Sequence, residues 1–117
     1  MLERAMAYSQ GRMTLAVLRQ LHLDQRVQVW VVLEDGVIRA AAASEVVNFP
    51  TGRRVLRVFL AGGAGLHLAK PAMELMARYG RSWGCASIEA EGRRGWGRVL
   101  PGFREVWRTF ERELFDA

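Results

Sequence analysis

This chain has little of the residue types that carry most recognisable chemistry. In 117 residues there is a single cysteine, Cys85, only two histidines, His22 and His67, and three prolines. One cysteine closes no internal disulfide, which excludes a cystine-stapled scaffold. Two histidines and one thiol supply none of the paired spacings of a zinc site, and neither a P-loop nor a Ser/His/Asp set is present, so no metal is expected. Cys85 lies in an apolar stretch without a histidine at local spacing to activate it, and reads as a small buried side chain rather than a nucleophile.

Long apolar runs are missing too. Nothing approaches the roughly 18 to 20 residues of a membrane helix, and the start, MLERAMAYSQGR, lacks the apolar core of a signal peptide. A soluble protein without membrane insertion is expected, cytoplasmic or carried inside a particle made in the cell.

Lysine is nearly absent: of 17 basic residues all but Lys70 are arginine, and the formal charge is +5 with a pI near 10.6. Such a balance invites a nucleic-acid reading. The arginines are scattered, however, with small clusters at Arg53–Arg54 and Arg93–Arg94, and GC-rich coding produces an arginine excess without selection for phosphate contacts. Nucleic acid is therefore not the expected partner.

What is present is enough apolar residue, 50% of the chain, to bury one core but not two, so residues 1–117 are expected to form a single domain. Leu2, Met6 and Tyr8 give a weak helical stripe that Gly11 interrupts. Thr14 can cap a second helix carrying Leu15, Leu18 and Leu21, with Val17 widening the apolar face, to an end near Asp24. From Val27 to Glu34 the period changes to two: Val27, Val29, Val31 and Leu33 alternate with Gln28, Trp30, Val32 and Glu34. Asp35-Gly36 tolerates positive φ and closes this strand as a hairpin.

A second strand is expected from Val37 to about Val47, although the alanines at 40–43 suit a helix by propensity. A third runs from Arg53 to Leu60 and completes an antiparallel meander, in which small alanines let a helix pack close. After Gly62-Gly63-Ala64-Gly65 a helix follows, with Pro71 in its first turn, Ala72, Leu75, Met76 and Tyr79 on one face, and Gly80 or Gly84 at its end. Cys85, Ser87 and Ile88 then form a strand into Glu91-Gly92. Phe103 to Phe115 fits either a helix or a strand. The four tryptophans, Trp30, Trp83, Trp96 and Trp107, read as core or as interface anchors, Trp96 being the one expected to be partly exposed.

The glycine loop, one helix, a strand and then Gly92 through Phe103, GRRGWGRVLPGF, resemble the second half of the GNAT (general N-acetyltransferase) superfamily, in the compact form common in tailed-phage genomes. The resemblance covers Val27 to the C-terminus. It implies an α+β fold with a mixed, largely antiparallel sheet of about five strands flanked by helices, with the first strand shortened or absent and the last segment a strand. It also implies acetyl-CoA as cofactor. Gly62, Gly63, Ala64 and Gly65 match the loop whose backbone N–H groups approach the pyrophosphate, beside a helix N-terminus, while splayed strands take the pantetheine arm.

Two departures bear on activity. The family's Gln or Arg at the head of the glycine loop corresponds to Phe59 or Leu60 here, and its Tyr before Gly-Phe is missing from 95–100. Glu45 and Glu89 are the nearest candidate bases, each also readable as an ordinary exposed or paired carboxylate. Two functions follow: an acyl-CoA binder with possible N-acetyltransferase activity, or a catalytically inactive GNAT-fold protein serving as a virion- or tail-associated structural or binding part. Whether the chain is an enzyme is left open. Such a chain has room for a protein partner, phage structural proteins in the second reading, or for a homodimer through the C-terminal strand or an exposed sheet edge.

Overall fold

The computed structural model describes residues 14–63, 69–91, 102–106 and 110–115. Helix α1, Leu15–Leu23, starts where the sequence places it. Thr14 is extended, and its Oγ1 accepts from the Val17 N–H at 3.2 Å, satisfying one of the free donors of the first turn. The helix ends on Asp24, with Gln25 at φ 58, the Gln25 N–H bonded to the His22 carbonyl and the Arg26 N–H to the Leu21 carbonyl. Its contact stripe is narrower than the periodicity predicts. Leu18 is buried and Leu21 partly buried against Val27, Ala43 and Leu60, but Leu15 and Val17 remain 49% and 48% exposed.

Strand β1, Gln28–Glu34, and β2, Val37–Asn48, form the expected hairpin, with Asp35 and Gly36 at φ 53 and 76 as a two-residue turn requires. β3, Arg54–Gly63, pairs antiparallel with β2, and β4, Ser87–Ala90, pairs parallel with β3, giving the order β1-β2-β3-β4. The alanines are strand. Ala43 lies under Leu18 of α1 on one face, and Ala42 packs with the other core cluster on the opposite face, so small side chains admit a helix on each side. β3 runs past Leu60, its predicted end, because Ala61, Gly62 and Gly63 continue the ladder opposite Ala42, Ala41 and Ala40.

Helix α2, Ala69–Ser82, accommodates Pro71 in its first turn, where the missing N–H costs nothing. Met76 is buried on Ala42, Leu56 and Val58, with Met73 and Tyr79 beside it. Leu75, expected on that face, is 54% exposed, since the inward stripe runs through Met73, Met76, Tyr79 and Gly80. The helix ends at Gly84 rather than Gly80: Gly84 has φ 74, its N–H reaches the Arg81 carbonyl, and the Cys85 N–H reaches the Gly80 carbonyl. Gly80 is a buried helical residue, and an added Cβ there meets Leu56 Cβ at 3.5 Å and Cys85 Cβ at 3.6 Å, ordinary contact distances. Gly80→Ala is therefore expected to raise the unfolding free energy by about 0.5–1 kcal/mol in urea titration, because alanine removes the backbone entropy cost of a mid-helix glycine.

The edge strand is held by a polar link as well as by its ladder. Trp30 Nε1 donates to Oγ of the fully buried Ser44 at 2.8 Å, and that hydroxyl donates to Gln28 Oε1 at 2.9 Å. The Trp30 ring meets Tyr79 edge-on at 5.4 Å, which ties β1 to α2. Four strands stand among the described residues where about five were expected. Residues 103–106 and 110–115 are neither helix nor strand. The expected first helix at Leu2–Tyr8, and Trp96 and Trp107, lie outside the described residues.

Candidate functional site

Two local irregularities shape the middle of the sheet. Opposite β2, the register moves from Ala43↔Leu60 to Ser44↔Val58, so Phe59 is an extra residue in β3. Phe59 and Leu60 both pack toward α1, whereas Leu56 and Val58 face α2. On the other edge of β3, pairing with β4 runs through Val55↔Ser87, Leu56↔Ile88, Arg57↔Glu89 and Val58↔Ala90, closed by a hydrogen bond from the Glu91 N–H to the Val58 carbonyl. It stops there. β3 continues for five residues, Phe59 to Gly63, with β2 on one side and, among the described residues, no strand on the other. The described ladder between the two parallel strands thus ends at the bulge, and along Phe59–Gly63 the outer edge of β3 offers backbone donors and acceptors that no described strand takes up.

Of the four glycine-loop residues, Gly62 and Gly63 form the end of β3 on this unpaired edge, and Ala64 and Gly65 lie outside the described residues. Gly63 has φ 121, and a Cβ there falls 2.6 Å from the Ala40 Cα, so a close approach to β2 already requires this glycine. α2 begins at Ala69, soon after, and its first turn carries Lys70 and no acidic residue, which leaves its positive dipole end without a carboxylate of its own.

Where β3 is paired on both sides, a charged row crosses the sheet. Glu45, Arg57 and Glu89 are successive register partners on β2, β3 and β4. Arg57 pairs with Glu45 at 3.9 Å and also with Glu91. Glu45, a candidate base from sequence, is thus an ion-paired carboxylate, while Glu89 stands half-buried opposite Arg57. The alternation in β3 was readable, but the parts of Arg57 and Glu91 were not, because the row exists only through pairing between distant strands. Tyr79 packs against Trp30 and Trp83. Burial pushes the half-buried Cys85 thiol up, against the opposing charge of Arg54, which keeps it protonated and argues against a nucleophile. Arg93 and Arg94 lie outside the described residues. No described helix is long and apolar enough to cross a membrane.

No family model matches this sequence, and no curated protein does. Solved structures do match. An aminoglycoside acetyltransferase from an uncultured soil metagenomic sample superposes with a TM-score of 0.71 at 18% identity, over 97% of this chain and 86% of that one. A predicted acetyltransferase from Clostridium acetobutylicum, solved with acetyl-CoA, gives 0.70 at 15% identity over the same shares. A ribosomal-protein-alanine N-acetyltransferase from Brucella melitensis gives 0.66 at 15% identity, over 96% and 90%. At these identities what is shared is the fold, which is GNAT-like: a mixed α+β domain with an open, mostly antiparallel sheet and helices on both faces.

Proposed function

We propose that this protein binds acyl-coenzyme A, acetyl-CoA in the first instance, along the edge of β3 beyond its pairing with β4, and passes the acyl group to an amine. The observation that carries this reading is the end of the described β3–β4 ladder at Val58↔Ala90 next to the bulge at Phe59, with five further residues of β3 beyond it. An extended pantetheine arm is a chain of amides, and the open edge of Phe59–Gly63 is a matching row of backbone donors and acceptors. Backbone recognition of this kind needs no particular side chain, which fits the low identity to acetyltransferases of the same shape. Gly62, Gly63, Ala64 and Gly65 would then approach the pyrophosphate together with the start of α2. In the transfer the amine nitrogen bonds to the thioester carbonyl carbon, the C–S bond breaks, the amine loses a proton and the departing thiolate gains one. Acyl-CoA chemistry of this kind belongs in the cytoplasm.

The test is calorimetric titration with acetyl-CoA and with coenzyme A, followed by hydrogen exchange with and without ligand. Saturable binding near a micromolar dissociation constant, about −8 kcal/mol, with slowed exchange at Phe59–Gly63 is the expected result. Ligand at 100 times that constant should add about 2.7 kcal/mol of stability. Absence of heat and of thermal shift at millimolar ligand overturns the reading.

A second reading, a protein that keeps the fold without the chemistry, is favoured by Tyr79 being committed to its aromatic neighbours and by the missing Tyr at 95–100. It makes the chain a binding or structural part, of a phage particle if the compact phage-type resemblance is carried that far. Acyl-CoA binding without transfer to any amine, or no binding at all, would favour it.

A further inference from the structure

The buried side of β1 is not its most apolar side. Gln28, Trp30, Val32 and Glu34 are half-buried, whereas Val29, Val31 and Leu33 are 39%, 50% and 62% exposed. Ile38, the register partner of Leu33 on β2, is 47% exposed and widens the stripe. β1 is also an edge strand, seven residues long, so one side of its backbone has no described strand to pair with. Protected edges carry proline, lysine or a bulge. β1 has none of these, since the extra residue at the Val32/Leu33 step is Arg39 of β2.

We propose that two copies of this chain associate edge to edge through β1, antiparallel, about a two-fold axis at Val31. The sequence of the strand is self-complementary in that register. All seven residues pair, with Val31 opposite Val31, Val29 opposite Leu33, Trp30 opposite Val32 and Gln28 opposite Glu34 of the second copy. The two apolar stripes merge on one face, as an isologous interface requires. Charge agrees: the strand carries one charged residue, Glu34, which keeps its ion pair with Arg39 at 3.8 Å and faces the neutral Gln28 of the other copy. No like charges face each other. Counting the described strands, the result is a continuous sheet of eight with β4 at both far ends.

Sedimentation velocity over a range from micromolar to near-millimolar protein reads this directly. The wild-type mass should move from 13.2 kDa toward twice that value. Val31→Lys and Val31→Glu each place like charges at the axis and should weaken association by about 100-fold or more, while an equimolar mixture of the two variants should recover the dimer. Val31 is half-exposed, and circular dichroism checks that both variants fold. Hydrogen exchange on the wild type gives a readout independent of any variant: the β1 amides should slow as concentration rises. A wild type that stays monomeric throughout, variants that dimerise as well as wild type, or β1 exchange indifferent to concentration would each overturn the proposal.

Discussion

Gly63→Ala is expected to lower the unfolding free energy by about 3–5 kcal/mol, combining left-handed backbone strain with overpacking. Gly63 sits at φ 121, and its missing Cβ would lie 2.6 Å from the Ala40 Cα and against the Arg39 carbonyl oxygen. Both neighbours are backbone, so no side-chain rotation relieves the contact. The cause lies one strand away: Arg39 is the residue by which β2 outnumbers β1, and this bulge coincides with the place where β2 presses on β3. Gly52→Ala is the matched control. It has φ 89 with nothing within 4 Å of an added Cβ, so it carries strain alone, about 1–2 kcal/mol. Urea titration of the two variants separates strain from clash, and equal losses would mean that the strands do not approach as described. Against a total of about 5–15 kcal/mol for a domain, the Gly63 loss is large. A substitution there cannot serve as a test of cofactor binding, which is why ligand-dependent exchange at Phe59–Gly63 is the better localisation.

Elements defined by short-range chemistry were legible in the sequence. Thr14 marks the start of α1, Asp35-Gly36 marks the hairpin, and the alternation of Val27–Glu34 marks a strand, because each signal is contained in a few neighbouring residues. Properties that depend on pairing were not. The glycines at 62 and 63 read as loop because glycine is depleted in strands, yet the sheet takes them in, at Gly63 because nothing larger fits. Periodicity identified apolar faces on both helices but not how much of each face the sheet covers, so Leu15, Val17 and Leu75 were expected inside and are not.

The candidate site divides along the same line. Its glycines were visible as composition, and two of them lie on the unpaired edge of β3. The unpaired edge of β3 comes from where the described β3–β4 ladder stops and from the extra residue at Phe59, and both are register facts. A site recognised through backbone groups leaves composition and spacing almost untouched, which is why the fold could be argued from sequence further than the chemistry could. The ion pairs of Arg57 with Glu45 and Glu91 illustrate the converse: the side chains are plain in the sequence, and only the sheet brings them together.

Leu56→Ala should cost about 3–5 kcal/mol, the upper part of the range for removing a buried leucine side chain, and depress Tm by about 12 °C or more in a domain of this size. Leu56 is fully buried at the centre of β3, paired to Val46 on one side and Ile88 on the other, with Met76 of α2 above it. Ladders on both edges hold its backbone, so the sheet cannot collapse into the space left behind. Leu23→Ala, at a position 65% exposed, should change stability by no more than about 0.5 kcal/mol. Gly80 supplies the decisive comparison, since its added Cβ would stand 3.5 Å from Leu56 Cβ and 3.7 Å from Leu56 Cδ2. In the Leu56→Ala background the methyl introduced by Gly80→Ala borders the cavity and the helix can settle toward it. The double variant should then be more stable than the sum of the single effects by about 0.5–1 kcal/mol, the low end of the range for residues that share a cavity. Strict additivity in that cycle would mean that α2 does not rest on β3 through Gly80.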